Sequence, residues 1–147
     1  MQKIFRVILV LAAILTLYIY IKARSWYALD KEFSSSYRQD KYAQALIIAK
    51  RQLQAAEDVP FFNRFYEPPT LNNLARAYQS QEKFAEAEFC YKRALKLAEQ
   101  RYGKYGFRLI NILENMAKFY KELSNEEEAQ RLLERAKRIK AMNKQEP

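Results

Sequence analysis

Apolar residues are distributed in two different ways along this chain. Residues 7–21 form a run without a charged residue, whereas further along the apolar residues alternate with polar ones at helical spacing. Between residues 71 and 78 the spacing is i, i+3, i+4 and i+7, which places four side chains on one stripe of a helix: Leu71, Leu74, Ala75 and Tyr78. The pattern predicts one long apolar helix followed by amphipathic helices.

The amphipathic part of the chain repeats itself at a spacing of 42 residues. Ala-Arg-Ala-Tyr at residues 75–78 returns as Ala-Lys-Phe-Tyr at 117–120, and Lys-Phe-Ala-Glu-Ala at 83–87 has a counterpart, Lys-Tyr-Ala-Gln-Ala, at 41–45. A fixed period of this size is typical of stacked helical units that cannot bury their apolar faces without a neighbour. We therefore expect an all-α solenoid.

These residues resemble the tetratricopeptide repeat family. Helix A of that repeat carries a large, a small and an aromatic residue, and helix B a small, an aromatic and a small one. Two copies fit: Leu71, Leu74, Ala75, Tyr78, Ala87, Tyr91 and Ala94, then Leu113, Met116, Ala117, Tyr120, Ala129, Leu133 and Ala136. The period, and Thr-Leu-Asn-Asn-Leu-Ala at residues 70–75, look like the long-loop variety found in kinesin light chains. The resemblance implies a right-handed α-solenoid of about three helix-turn-helix repeats.

The chain divides into a predicted membrane helix, three repeats and their connections. The first repeat is degenerate, because Phe33 and Ser36 stand where a small residue and a tyrosine are expected, and Gln52 where alanine is usual. Pro68 and Pro69 are expected to break any helix before the second repeat. The predicted bounds are 4–21 for a transmembrane helix acting as a signal anchor, 26–57 for the first repeat, 58–69 for an aromatic and proline-rich connection, 70–99 for the second repeat, 100–111 for a connection, 112–140 for the third repeat and 141–147 for a tail.

Residues 4–21 are predicted to cross a membrane. With Arg6 snorkelling to the surface, they give a helix of roughly 27 Å, which just spans a bilayer core. The alternative is a cleaved signal peptide, but its apolar region is shorter, and the Ile-Lys-Ala sequence at residues 21–23 is a poor cleavage site. A buried solenoid helix would show an apolar stripe, which this run lacks. Aromatic residues cluster at one end, as in an interfacial belt: Tyr18, Tyr20, Trp26 and Tyr27.

Composition argues against an enzyme and against nucleic-acid binding. The chain has no histidine, two glycines and a single cysteine, Cys90, which is predicted to be buried, so the usual general base and a phosphate-binding loop are missing. The acidic run at residues 126–128 suits a helix N-terminus. The net charge of +9 comes from cations interleaved with glutamates, without a recognised nucleic-acid motif. We predict no catalytic, cofactor or metal site.

A partner is predicted to bind the A helices, which line the concave surface in this family. Asn73 and Asn115 are equivalent by the 42-residue spacing, and so are Arg76 and Lys118. Asparagine amides can pair with an extended peptide backbone, and the cations with its carboxylates. With Asn72, these five residues form the candidate site, and we expect them to face away from the apolar stripe. A merely solvated face is the alternative, and Glu114 argues against simple recognition of an acidic tail.

The connection at residues 59–69 carries four aromatic residues: Phe61, Phe62, Phe65 and Tyr66. We expect them to pack over the junction between repeats, as Tyr102, Tyr105 and Phe107 would one period later. The functional alternative is a peptide-docking edge or a membrane-facing patch.

These patterns predict a single-pass membrane protein that acts as a scaffold or adaptor for a protein or peptide partner. More lysines and arginines follow the apolar segment than precede it, which favours cytoplasmic repeats, although a short basic N-terminus often stays inside and would place them outside. The alternative is a secreted or periplasmic soluble chaperone or accessory protein released by cleavage. An accessory subunit tethered near an enzyme would have the same sequence features.

Overall fold

The computed structural model describes residues 1–57 and 63–143. Over these ranges it contains six α-helices and no strand: α1 (Gln2–Arg38), α2 (Tyr42–Glu57), α3 (Asn63–Gln79), α4 (Phe84–Tyr102), α5 (Leu109–Glu122) and α6 (Glu126–Asn143). The helices pack in three consecutive pairs, and α2 packs on α3 as α4 packs on α5. The prediction of an all-α solenoid of three helical hairpins is confirmed.

The turns within the three hairpins have the same geometry. Asp40, Glu82 and Ser124 lie 42 residues apart in the sequence and have positive φ angles of 56°, 58° and 58°. After each of them, a backbone N–H donates to the carbonyl five residues earlier, at 2.8 to 3.0 Å: Lys41 to Ser36, Lys83 to Tyr78 and Asn125 to Tyr120. This bond closes a Schellman motif at the end of each first helix. The first hairpin is therefore a structural equivalent of the other two.

Small residues lie where the helices of a hairpin approach each other. Ala45, Ala87 and Ala129 recur at the same place in successive hairpins and are buried. Phe33 is fully buried at the position that alanine occupies in the later repeats, and Gln52 is fully buried where the later repeats have Ala94 and Ala136. The first repeat thus accommodates its two departures from the pattern inside the packed structure.

The apolar N-terminal segment and the first helix of the solenoid are one continuous helix, α1. Its N-terminal half exposes apolar side chains on all sides, whereas Trp26, Phe33 and Ser36 in its C-terminal half are buried. By length and composition α1 could cross a membrane, a criterion that a signal sequence also meets. At about 1.5 Å per residue, α1 is roughly 55 Å long.

Trp26 packs against the solenoid and does not belong to an exposed aromatic belt. Its indole Nε1 donates to Thr70 Oγ1 at 2.9 Å, and its ring lies 4.6 Å from that of Tyr66. Tyr18, Tyr20 and Tyr27 are exposed. The expectation of an interfacial belt was wrong for Trp26, because α3 reaches back far enough to cover it.

The N-terminal part of α3 contradicts the expectation that Pro68 and Pro69 break any helix before the second repeat. α3 begins at Asn63 and continues through Pro68 and Pro69. Each proline removes a backbone donor and costs about 3 kcal/mol or more inside a helix, but its fixed φ is helical. Tertiary contacts hold the turn before the prolines: Tyr66 packs on Trp26, and Glu67 forms an ion pair with Arg93.

Candidate functional site

Amide side chains connect the first helices of successive hairpins, which we call the A helices: the C-terminal half of α1, α3 and α5. Asn73 Nδ2 donates to Asp30 Oδ1 at 2.9 Å, and Asn115 Nδ2 donates to Asn72 Oδ1 at 3.1 Å. Each pair is 43 residues apart, so the same bond occurs at successive junctions. We call this arrangement the amide ladder.

Further hydrogen bonds complete the amide ladder at both ends. Gln52 donates to Asp30 at 3.2 Å and accepts from Asn73 at 3.3 Å, and Asn72 Nδ2 donates to Asn111 Oδ1 at 3.2 Å. Asn111 also accepts from Asn115, at 3.0 Å. A buried amide without a partner would cost about 1–3 kcal/mol, so these bonds stabilise the contact between the A helices.

The expectation that Asn72 and Asn73 face freely outward was wrong. Only 4% of Asn72 and 8% of Asn73 is exposed, because the polar side of α3 meets the neighbouring A helices. Asn115 is half-buried within the same network, and Lys118 is exposed. Three of the predicted residues are thus part of a structural ladder, and their role in binding a partner stays a prediction.

A groove of about 630 Å³ lies between the A helices. Asn72, Asn73 and Arg76 line it, with residues from α1 and α5 on either side and the ends of α4 and α6 closing it. Asn115 and Lys118 do not line the groove, although both belong to the described part of the chain. Three of the five predicted residues therefore line one groove. Asn115 lies directly behind its wall, hydrogen-bonded to Asn72 and Asn111, and Lys118 lies outside it.

Arg76 is held on the groove wall by aromatic rings of α1. Its guanidinium carbon lies 4.1 Å from the ring centroid of Tyr37 and 5.5 Å from that of Phe33. Such contacts stabilise a cation by about 0.5–2 kcal/mol and fix its direction. Arg76 is half-buried and presents a preorganised positive charge to the groove.

The other part of the groove has a second group of cations and aromatic rings, lined by Phe65, Tyr102, Phe107 and Arg108. The sequence offered Phe65 as part of an alternative docking edge with Phe61 and Phe62, which lie outside the described residues, but it did not assign Arg108 to a site. The expectation that Phe107 packs over a repeat junction was wrong, because the ring is exposed. Arg101 stacks on Phe65, with 3.4 Å between the guanidinium carbon and the ring centroid, and Arg108 lies 5.5 Å from Tyr102. The available signal was the alternation of cations and aromatic residues between 101 and 108.

The negative charge of Glu114, on the α5 side of the groove, is balanced by a lysine. Glu114 forms an ion pair with Lys140 of α6, and both residues line the groove. Within the described residues no group of three or more histidine, cysteine, aspartate or glutamate side chains is arranged to hold a metal ion. The groove therefore presents amides, aromatic rings, the carboxylate of Asp30, which accepts from Gln52 and Asn73, and the guanidinium groups of Arg76 and Arg108.

The family model described as the tetratricopeptide repeat matches residues 66–141, which is more than half of the chain. The chain belongs to the tetratricopeptide repeat family. No curated protein matches it. The tetratricopeptide match begins inside α3, so the first hairpin lies outside the matched range but shares the turn geometry of the other two.

Proposed function

We propose that this tetratricopeptide repeat protein is a membrane-anchored scaffold or adaptor that binds a partner protein or peptide in the groove between its A helices. Tetratricopeptide repeats generally bind protein partners. The observation that carries the proposal is the groove of about 630 Å³, whose volume lies in the range of binding pockets and whose walls combine aromatic rings with a few fixed polar groups.

The structure changes the roles that we propose for the predicted residues. Asn72 and Asn73 form the wall, Arg76 supplies a fixed charge, and Asn115 positions Asn72. Lys118 lies outside the groove, so we do not expect it to contribute. Asn111 and Arg108 join the proposed site because both are exposed and line the groove.

Photocrosslinking would test the location of the partner. A photoreactive amino acid at Asn111 in the groove is compared with the same amino acid at Phe89, which is exposed on α4 and does not line the groove. We expect a partner crosslinked from position 111 and none from position 89. Crosslinking from position 89 alone would place the interaction on the outer surface and contradict the proposal.

Charge removal supplies the matched comparison. Hydrogen bonds to a charged group contribute about 1.5–3 kcal/mol, so Arg108→Gln should weaken partner binding roughly tenfold or more. Lys118→Gln removes the same charge from an exposed position on α5, the helix that begins directly after Arg108. This variant should leave the affinity for the partner unchanged. If Lys118→Gln weakens binding and Arg108→Gln does not, the partner contacts the exposed face of α5 and the proposed groove site is contradicted.

The anchor is the second part of the proposal. The exposed apolar surface of α1 continues without a break into the packed solenoid, which supports a retained membrane helix. Ala13→Arg would place a charge near the bilayer centre at a cost of about 2.5–3.5 kcal/mol and should release the protein from membranes. The intact mass of the purified protein decides between the alternatives, because a chain beginning at Arg24 would support the secreted or periplasmic form.

We propose that the repeats lie on the cytoplasmic side of the membrane. Two basic residues precede the span and five follow it within about 20 residues, and this excess favours the cytoplasm for the repeats: Lys3 and Arg6, then Lys22, Arg24, Lys31, Arg38 and Lys41. Reporter fusions after Pro147, one active only in the cytoplasm and one only outside it, test the orientation, and activity of the external reporter would reverse it.

A further inference from the structure

The anchor helix leaves the solenoid at the end where the repeats are connected to each other. The turns within the hairpins, at residues 39–41, 80–83 and 123–125, follow the C-terminal ends of the A helices and so lie away from the anchor. The start of α3 lies beside Trp26, and the connection between α4 and α5 lies beside the start of α3, through the contact of Arg101 with Phe65. The inter-repeat connection is therefore on the anchor side.

This anchor-side edge consists of Tyr27, Phe65, Lys104, Tyr105, Phe107 and Arg108. Its aromatic side chains are unusually open to solvent: the exposed fraction is 59% for Tyr105 and 65% for Phe107. Lys104 and Arg108 are exposed beside them, and residues 101–108 contain no acidic residue. Aromatic rings interleaved with cations are the combination that the interface of an anionic membrane favours.

The connection has a defined shape that presents these side chains. Gly103 has a positive φ of 74°, and a Cβ atom on Gly106 would lie 2.5 Å from Tyr102. The N–H of Gly106 donates to the carbonyl of Gly103 at 3.2 Å, and the N–H of Leu109 donates to that of Gly106 at 3.0 Å. Two consecutive turns therefore hold Tyr105 and Phe107 outward.

The opposite end of the solenoid has different chemistry. Each of its turns combines both signs of charge: Asp40 is followed by Lys41, Glu82 by Lys83, and Lys121 lies beside Glu122. Leu123 is exposed there and serves as the reference position. Cations at this end are therefore interleaved with acidic residues, whereas residues 101–108 on the anchor side contain no acidic residue.

The spacing along α1 places the anchor-side edge at head-group depth. Trp26 lies five positions after Ile21, which is about 7.5 Å along the helix, and each head-group layer is roughly 5–8 Å thick. Trp26 is fixed to α3 through Thr70 and Tyr66. If α1 spans a bilayer, side chains at the level of Trp26 lie at the outer boundary of the head groups.

We propose that the anchor-side edge rests on the membrane that α1 spans, with Tyr105 and Phe107 at the interface and Lys104 on anionic lipid head groups, while Arg108, at the end of the groove, stays with the partner site. The inference depends on the anchor that we propose above. It makes the membrane a second contact surface of the repeats and fixes the orientation of the groove relative to the bilayer.

The test uses the full chain reconstituted in vesicles of phosphatidylcholine, with and without phosphatidylserine. Phe107→Cys and Leu123→Cys each carry an environment-sensitive fluorophore, since the buried Cys90 reacts slowly, and head-group-labelled lipid supplies a quencher. We expect the label at 107 to be quenched, most strongly with phosphatidylserine, and the label at 123 to remain in water. Tyr105→Cys is the substitute if Phe107→Cys lowers the helical content.

Charge removal tests the role of Lys104. A basic side chain near an anionic surface contributes roughly a factor of five, so Lys104→Gln should weaken the contact about fivefold in vesicles that contain phosphatidylserine. Equal quenching with and without phosphatidylserine would overturn the assignment of Lys104 to anionic head groups.

The outcomes separate this inference from the anchor on which it depends. If the protein floats with the vesicles but the label at 107 is no more quenched than the label at 123, the edge does not touch the membrane and the anchor stands. If the protein does not float with the vesicles at all, the anchor is wrong, and the edge proposal is overturned with it.

Discussion

The repeated left-handed residue in the hairpin turns gives a direct test of the repeat geometry. Glu82 has a φ of 58° in the turn between α3 and α4, and its side chain is exposed. Glycine adopts this conformation without strain and is the usual residue at this position of a Schellman motif. Glu82→Gly should therefore stabilise the protein, although glycine is normally destabilising in a helical chain.

The size of the effect follows from two opposing terms. The left-handed conformation raises the free energy of the folded protein by roughly 1–2 kcal/mol for a residue other than glycine, and this strain is absent in the glycine variant. Glycine also increases the conformational entropy of the unfolded chain, and this lowers the free energy of unfolding by about 0.5–1 kcal/mol. The free energy of unfolding should rise by about 0.5–1 kcal/mol. Asp40→Gly and Ser124→Gly lie in separate hairpins, so their effects should add.

Glu86→Gly is the matched control, because the same substitution four residues later falls inside α4 on an exposed position. It should destabilise by about 1 kcal/mol through lost helix propensity. Thermal unfolding in mild detergent can be followed by the fluorescence of Trp26, the single tryptophan, which is buried against Tyr66. We expect Tm shifts of a few degrees in opposite directions. Equal losses for the two variants would refute the left-handed conformation at Glu82.

Two further predictions concern the core. Ala87→Leu and Ala129→Leu should each overfill a hairpin and lower the free energy of unfolding by about 1–3 kcal/mol. The control, Ala43→Leu on the exposed face of α2, should change the free energy of unfolding by less than about 0.5 kcal/mol in the same assay. Burial raises the pKa of the Cys90 thiol to about 11, so its alkylation at pH 8 should be at least roughly a hundredfold slower than that of an exposed thiol. Rapid modification of the folded protein would show that the helix carrying Cys90 opens or packs differently.

The sequence predicted the repeats because their apolar positions follow one period. Ala45, Ala87 and Ala129 are buried as their recurrence indicated, and the hairpins match the predicted helical pairs. The start of α3 could not be predicted from the same pattern. Proline lowers the local preference for helix, and only the tertiary contacts of Tyr66 and Glu67 show why the helix continues through it.

The candidate site was predicted less well, since polar residues on a helix do not reveal which polar neighbours they will meet. Gln79 lies outside the apolar stripe of α3, yet it accepts a hydrogen bond from Tyr91 at 2.9 Å and donates to Glu122 of the next hairpin. Burial raises the pKa of Tyr91, whose hydroxyl would lose its partner without Gln79. Contacts between successive A helices depend on the curvature of the stack, which no single helix pattern contains.

The departures that made the first repeat look degenerate also shape the groove. Gln52 replaces the alanine of the later repeats, and its longer side chain reaches Asp30 and Asn73, so the first junction gains two further hydrogen bonds in the amide ladder. Phe33 replaces a second alanine and, with Tyr37, provides the rings on which Arg76 rests. Both residues count as mismatches when the first repeat is compared with the repeat pattern. In the folded chain they fix one amide and one guanidinium group on the groove wall, so the first hairpin completes the groove that the second hairpin lines.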